Sequence, residues 1–179
     1  MRKKVLILSA SPRKGGNSDT LCDAFLRGAR EAGHDAEKIF LRGRTIHYCT
    51  GCGMCNATHR CVQQDDMAPL LDKMIQADVI VLSTPVYFYS MDGQLKTFID
   101  RTVPRYQEIS GKEFYYILAA ADTDPASLER AVSGLRGFTL DCLPGTLERG
   151  IVYGTGAWQV GDIQQSPALH QAYEMGKAL

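Results

Sequence analysis

Three groups of residues in this chain are of types that do chemistry. The first is Ser9, Ser11, Arg13, Asn17, Ser18 and Thr20, all within the stretch VLILSASPRKGGNSDT from Val5 to Thr20. Hydroxyls, an amide and a fixed positive charge at that density form a donor set for an anion such as phosphate. The second is Cys49, Cys52, Cys55 and Cys61, spaced x2, x2 and x5, with Gly51 and Gly53 easing tight turns. One short loop with four thiolates can wrap an iron–sulfur cubane. The third is TPVYFYSM, Thr84 to Met91, which sets Tyr87, Phe88, Tyr89 and Met91 side by side. Burying that much apolar surface in a loop needs a partner, and a planar heteroaromatic ligand is one.

Each group also has a plainer reading. Ser, Gly, Asn and Pro are what any strand-to-helix turn contains. The aromatic loop can simply pack the next helix or a subunit interface. The cysteine spacing differs from a bacterial ferredoxin run, whose fourth Cys follows after three residues and precedes Pro. Structural zinc usually takes two Cys pairs separated by a longer span. A 4Fe–4S cluster, metal-free thiols or an oxidised pair, and zinc all stay open on ligand type and spacing. His47 and His59 flank the cysteines and read as exposed loop histidines, although either could tune a metal.

The elements that must position these groups follow from hydropathy. Val5 to Leu8 is a continuous apolar run, the pattern of a strand buried on both faces. Leu21, Ala24, Phe25, Gly28, Ala29 and Ala32 then recur at helical spacing, stopped by Gly33. Strand, polar loop and helix in that order aim free backbone N–H groups and the positive helix end into the loop. The loop lacks the G-x-x-x-x-G-K-[ST] order of a triphosphate site and the G-x-G-x-x-G of a dinucleotide fold. A terminal monophosphate suits it better.

Ala36 to Leu41 reads as the second strand. Asp65 and Asp66 can cap a helix with Met67, Leu70, Leu71, Met74 and Ile75 on its apolar face. Val79 to Ser83 is the third strand, and a helix with Leu95, Phe98, Ile99 and Thr102 on one face follows. Phe114 to Ala121 is the fourth strand, with Asp122 to Pro125 as the loop at its carboxyl end. Leu128, Ala131, Val132 and Leu135 mark the next helix, and Leu147 to Tyr153 the fifth strand. Ser166 and Pro167 open the last helix, with Leu169, Ala172, Tyr173 and Gly176 on its apolar face. Five alternations of strand and helix imply a parallel sheet covered on both faces. Ligands of such sheets sit beyond the carboxyl ends of the strands, where strand order reverses.

The 179 residues suit one domain without repeats or linkers, spanning 1–179 with the cysteine stretch as an insertion loop at 47–64. Twenty Lys and Arg balance twenty Asp and Glu. With no basic block, neither nucleic acid nor an anionic membrane is an expected partner. The apolar run after Arg2, Lys3 and Lys4 is too short for a signal peptide, whose apolar region spans ~7–15 residues. A cytoplasmic protein is the expectation, in which clustered cysteines mean metal or redox chemistry rather than a disulfide scaffold. Cys22 and Cys142 read as inert, partly buried thiols. Asp100 and Arg101 close a helix, where an arginine serves the helix dipole and a structural or interface duty.

Ser11-Pro12-Arg13-Lys14-Gly15-Gly16-Asn17-Ser18 resembles the phosphate loop of the NADPH-dependent FMN reductase family. Pro85-Val86-Tyr87-Phe88 and Leu95-Lys96-Thr97-Phe98-Ile99-Asp100-Arg101 resemble its second and third signatures, and the four cysteines between them resemble its iron–sulfur flavoprotein branch. The resemblance implies a flavodoxin-like, doubly wound α/β fold with a five-stranded parallel sheet of order 2-1-3-4-5. It implies FMN as cofactor, NAD(P)H as cosubstrate, a small-molecule or redox-protein donor and acceptor, and a homodimer or homotetramer. The phosphate then falls to Ser9, Ser11, Pro12, Arg13, Asn17, Ser18 and Thr20, and the flavin ring to Pro85, Val86, Tyr87, Phe88, Tyr89 and Ser90, with Asp122 from the third loop. Cys49, Cys52, Cys55 and Cys61 would be the ligands of a 4Fe–4S cluster. Ala10 stands where the family usually has Gly and Ser18 where it often has Thr, without removing a donor. Tyr89 is bulkier than usual and narrows the space over the ring.

The expected function is an FMN-dependent oxidoreductase that moves electrons from NAD(P)H or a protein donor through FMN to an acceptor, directly or by way of the cluster, with the chemistry on the flavin rather than on a catalytic side chain. A cluster-free NAD(P)H-dependent flavin or quinone reductase, a non-catalytic flavodoxin-type carrier and a zinc-bearing module without flavin are the alternatives.

Overall fold

The computed structural model describes residues 1–179. Its strands are β1 (Lys4–Ser9), β2 (Asp35–Phe40), β3 (Val79–Tyr87), β4 (Ser90–Met91), β5 (Glu113–Ala119) and β6 (Leu147–Gly154). Its helices are α1 (Asn17–Glu31), α2 (Cys55–Thr58), α3 (Met67–Gln76), α4 (Gly93–Asp100), α5 (Glu129–Thr139) and α6 (Pro167–Lys177). The long strands form one parallel sheet in the order β2-β1-β3-β5-β6, which is the expected 2-1-3-4-5. No helix is long and apolar enough to cross a membrane.

Alternation along each strand explains the continuous apolar runs. Leu6 and Leu8 of β1 and Ile80 and Leu82 of β3 join the core beneath α3, α4 and α5. Val5 and Ile7, with Val79 and Val81, face the opposite core, beneath α1 and α6. Both sets are buried because helices cover both faces of the sheet. On the second face α1 and α6 cross with their backbones in contact. A Cβ on Gly28 would lie 2.1 Å from the Tyr173 carbonyl oxygen, and one on Gly176 2.1 Å from that of Phe25. Only glycine fits either position.

Two features depart from the sequence reading. The stretch Thr84 to Met91 is not a loop: β3 runs on through Tyr87 and pairs antiparallel with the short strand β4. Phe88 and Tyr89 form the turn with positive φ, 50° and 61°. A two-residue hairpin needs that backbone to match strand twist, and it usually takes Asn-Gly there. Two aromatic residues hold it instead, at a cost of ~1–3 kcal/mol each. Cys142, expected to be partly buried, is exposed, whereas Cys22 is buried.

Candidate functional site

The carboxyl ends of β1, β3, β5 and β6 converge at one edge of the sheet. Ser9 of β1 lies beside Ser83 of β3, and Pro85 beside Ala119 of β5. Strand order reverses between β1 and β3. A cleft of about 380 Å³ opens there, lined by Ser11, Arg13, Asn17, Ser18, Pro85–Phe88, Ala119–Ala121, Ala157 and Trp158. It is polar at the α1 end and apolar at the other.

The α1 end is shaped by an aspartate that sequence reading passed over. Asp19 is buried at the start of α1 and accepts from the Ser9 hydroxyl at 2.8 Å, the Gly15 amide at 2.9 Å and Lys38 Nζ at 2.8 Å. Burial opposes the Asp19 charge, but Lys38 and the Gly15 amide outweigh it and hold the carboxyl below its usual range. The anchored Gly15 bends the loop, and the Ser11 hydroxyl both donates to the Arg13 carbonyl and accepts the Arg13 amide. The turn is tight enough that a Cβ on Gly16 would lie 2.8 Å from Ser11 Oγ. The first backbone N–H with a helical acceptor is that of Thr20, bonded to the Gly16 carbonyl. The Asn17, Ser18 and Asp19 amides precede it, donors that a helix start leaves open.

The candidate residues sort by geometry. Ser11, Arg13, Asn17 and Ser18 line the cleft. The Ser9 hydroxyl is engaged by Asp19 inside the protein, and the Thr20 hydroxyl reaches back to the Gly15 carbonyl at 3.4 Å. Asn17 donates to the Gln159 carbonyl at 2.8 Å and accepts the Gly161 amide at 3.2 Å. It therefore joins α1 to the segment carrying Trp158. Asp122 caps its own turn through the Asp124 amide, and its carbonyl holds Gly156. Ser90 and Tyr89 lie outside the lining, with the Tyr89 ring under the Arg130 guanidinium 5.4 Å away.

Across the cleft, Tyr87 and Phe88 on the hairpin face Ala157 and Trp158 after β6. Phe88 and Trp158 are exposed, the latter at 70 %. Trp158 was missed from sequence, although it is the only tryptophan and lies in a glycine-rich loop after a strand. Asp162 holds that loop by accepting the Trp158 and Gln159 amides at 2.9 and 2.6 Å. A cradle of helix-start amides with an adjacent arginine fits a phosphomonoester. The aromatic walls fit a planar ring. The residues present therefore fit FMN.

The four cysteines form a separate arrangement. Cys49, Cys52, Cys55 and Cys61 line one hollow of about 290 Å³, and α2 starts at Cys55. No three Cys, His, Asp or Glu side chains come together as a single-ion site, so the four thiols share a hollow without forming a ready metal centre. Arg101, expected to have a structural duty at the end of α4, is fully buried and pairs with Asp65 at 2.7 and 3.0 Å. Burial would raise the Asp65 carboxyl, but Arg101 and the His47 and Met67 amides hold it well below the usual carboxylate range. Burial pushes the Cys22 thiol up to about 12, which keeps it neutral and inert.

Comparison with known proteins supports the family and the fold. The sequence profile of the family described as NADPH-dependent FMN reductase matches residues 3–138. An iron-sulfur flavoprotein of Archaeoglobus fulgidus is 42% identical over 101 residues, 56% of this chain and 46% of that protein. An iron-sulfur flavoprotein of Methanosarcina thermophila is 37% identical over 100 residues, 56% of this chain and 52% of that protein. The chain thus spans about half the length of the curated relatives it matches. The structure of an NAD(P)H:quinone oxidoreductase from Methanothermobacter marburgensis superposes with a TM-score of 0.76, covering 99% of this chain and 96% of that one. At 18% identity that likeness shows the fold alone.

Proposed function

This chain belongs to the NADPH-dependent FMN reductase family, and from that premise we propose that it is a cytoplasmic FMN-dependent oxidoreductase drawing electrons from NAD(P)H. One observation carries the reading: the open amides of α1, Arg13, the aromatic hairpin and Trp158 surround a single cleft at the reversal of strand order. Bound FMN would supply hydride and single-electron chemistry. The protein's own part is placement. Arg13, Ser11 and the Asn17 and Ser18 amides hold the phosphate, while the Pro85–Phe88 strand end and Trp158 hold the ring and exclude water from its edges. Asp19, through Gly15, keeps the phosphate loop in shape.

We further assign Cys49, Cys52, Cys55 and Cys61 to a 4Fe–4S cluster that passes electrons onward to a small molecule or a redox protein. The shared hollow and the iron-sulfur flavoprotein names of the relatives support this. Residues 1–179 act as one flavodoxin-like unit with 47–64 as its insertion, and the exposed aromatic rim of the cleft favours a homodimer or homotetramer. A cluster-free reductase is the second reading, favoured by the absence of a converged metal group.

Anaerobic purification followed by acid release of the flavin, iron and acid-labile sulfide assays and NAD(P)H oxidation tests these assignments. FMN with iron, sulfide and turnover is the expected result. FMN with turnover but no iron favours the second reading, and a colourless protein refutes both.

A further inference from the structure

The side chain of Arg101, just beyond α4, is 1 % exposed. A guanidinium so enclosed needs partners for its N–H groups. Nη1 donates to the His47 carbonyl at 2.6 Å and to Asp65 at 2.7 Å, and Nη2 donates to Asp65 at 3.0 Å. Asp65 also accepts the His47 amide at 3.0 Å. His47 precedes the first cysteine of the loop and Asp65 follows the last. One guanidinium therefore ties the two ends of the insertion together, across sequence separations of 54 and 36 residues.

The remaining nitrogen is the informative one. Nε of Arg101 is buried and has no hydrogen-bond partner. Arg101 and Cys61 are neighbours at the thiol hollow, which both line, and both also border a second hollow of about 640 Å³. A donor left unmade in a buried place is costly unless something meets it. The sulfur loop is the neighbour able to do so.

We propose that Arg101 is a positioning residue of the sulfur site: its fork closes the neck of the loop, and its Nε–H donates to the Cys61 sulfur when that sulfur ligates iron. The inference rests on the cluster assignment above. Hydrogen bonds to ligand sulfurs and nearby positive charge favour the more negative, reduced state of a cluster, so they raise its potential. Arg101 sets that potential in addition to shaping the loop.

The test uses the full protein, reconstituted anaerobically with iron and sulfide, reduced, and grown with isotopically labelled arginine. Pulsed electron paramagnetic resonance is expected to show a nitrogen coupling from labelled arginine to the cluster. Arg60→Lys, at the arginine that directly precedes Cys61, should keep the coupling. Arg101→Lys keeps a charge but lacks the Nε–H fork; it should retain FMN, lose the coupling and move the cluster potential to more negative values. A loaded wild-type protein with no arginine coupling, or one whose coupling disappears in Arg60→Lys, overturns the proposal and leaves the cluster assignment standing. An unchanged potential in a loaded Arg101→Lys protein overturns it as well. If that variant does not fold, the wild-type and Arg60→Lys spectra decide. Wild-type protein without iron and sulfide after reconstitution overturns both the assignment and the proposal, and FMN retention then shows that the flavin site is intact.

Discussion

Asp92 caps α4 from inside the protein, and its charge is out of place there. It is 3 % exposed, with Oδ1 accepting the Leu95 amide at 3.0 Å and Oδ2 buried without a partner. Burial pushes the carboxyl from 3.8 up to about 6, against the smaller opposing pull of the Leu95 amide and the Thr84 hydroxyl. A rise of that size corresponds to ~3 kcal/mol between the two protonation states, at ~1.4 kcal/mol per unit. At pH below about 4 the group is protonated in both folded and unfolded chains, and the shift costs nothing. Between about pH 4 and 6 the folded chain keeps a proton that the unfolded chain has released, so stability falls as pH rises. Above about pH 6 both are ionised and the full penalty is present. Asp92→Asn keeps the cap acceptor and removes the charge, while its amide, left without an acceptor, costs ~1–2 kcal/mol. The variant should therefore be more stable than wild type by ~1–2 kcal/mol near pH 8, and less stable below about pH 4.5. Urea unfolding of both proteins across that range checks this, after flavin is stripped so that ligand binding does not mask the difference. Parallel pH profiles for the two proteins would refute the reasoning.

Arg13→Ala should raise the FMN dissociation constant by roughly one power of ten, the value of an exposed charge-assisted bond to phosphate, without lowering the unfolding midpoint of the flavin-free protein; flavin fluorescence titration reads it. Asp19→Ala should destabilise by ~2–4 kcal/mol in urea and weaken FMN binding, because it frees Gly15 and leaves Lys38 with only the more exposed Asp23 as partner, whereas Asp19→Asn combined with Lys38→Met recovers much of the stability. Changing any one of Cys49, Cys52, Cys55 and Cys61 to Ala should cost most of the iron and sulfide with FMN retained, since each iron of the cubane needs one external ligand. Cys22→Ala and Cys142→Ala should leave both cofactors in place by the same assays.

Local pattern carried the scaffold. The apolar runs of β1 and β3, the helical spacing of α1 and the Ser166-Pro167 start of α6 each depend on neighbours a few residues away, so periodicity and capping rules read them directly. The polar turn before α1 was legible for the same reason. The hairpin at Phe88 and Tyr89 was not, because its turn residues break the usual preference. Trp158 was overlooked because its relevance depends on β6 ending beside β5, a fact of topology rather than composition.

Sequence alone determined the α/β alternation, the order of the long parallel strands through the family resemblance, and which loops hold donors, sulfurs and aromatic rings. Tertiary structure alone decided what those groups do to one another. Asp19 meets Lys38 only because β2 lies beside β1. Asn17 reaches Gln159 across 142 residues, and Arg101 reaches His47 across 54. The physical reason is range: a local pattern reflects backbone preference and the burial of one face. A buried charge, by contrast, is stable only beside partners that the chain brings back from elsewhere. Arg101 looked like an ordinary helix-end cation until the fold enclosed it, and enclosure is what turned it into the tie across the cysteine loop.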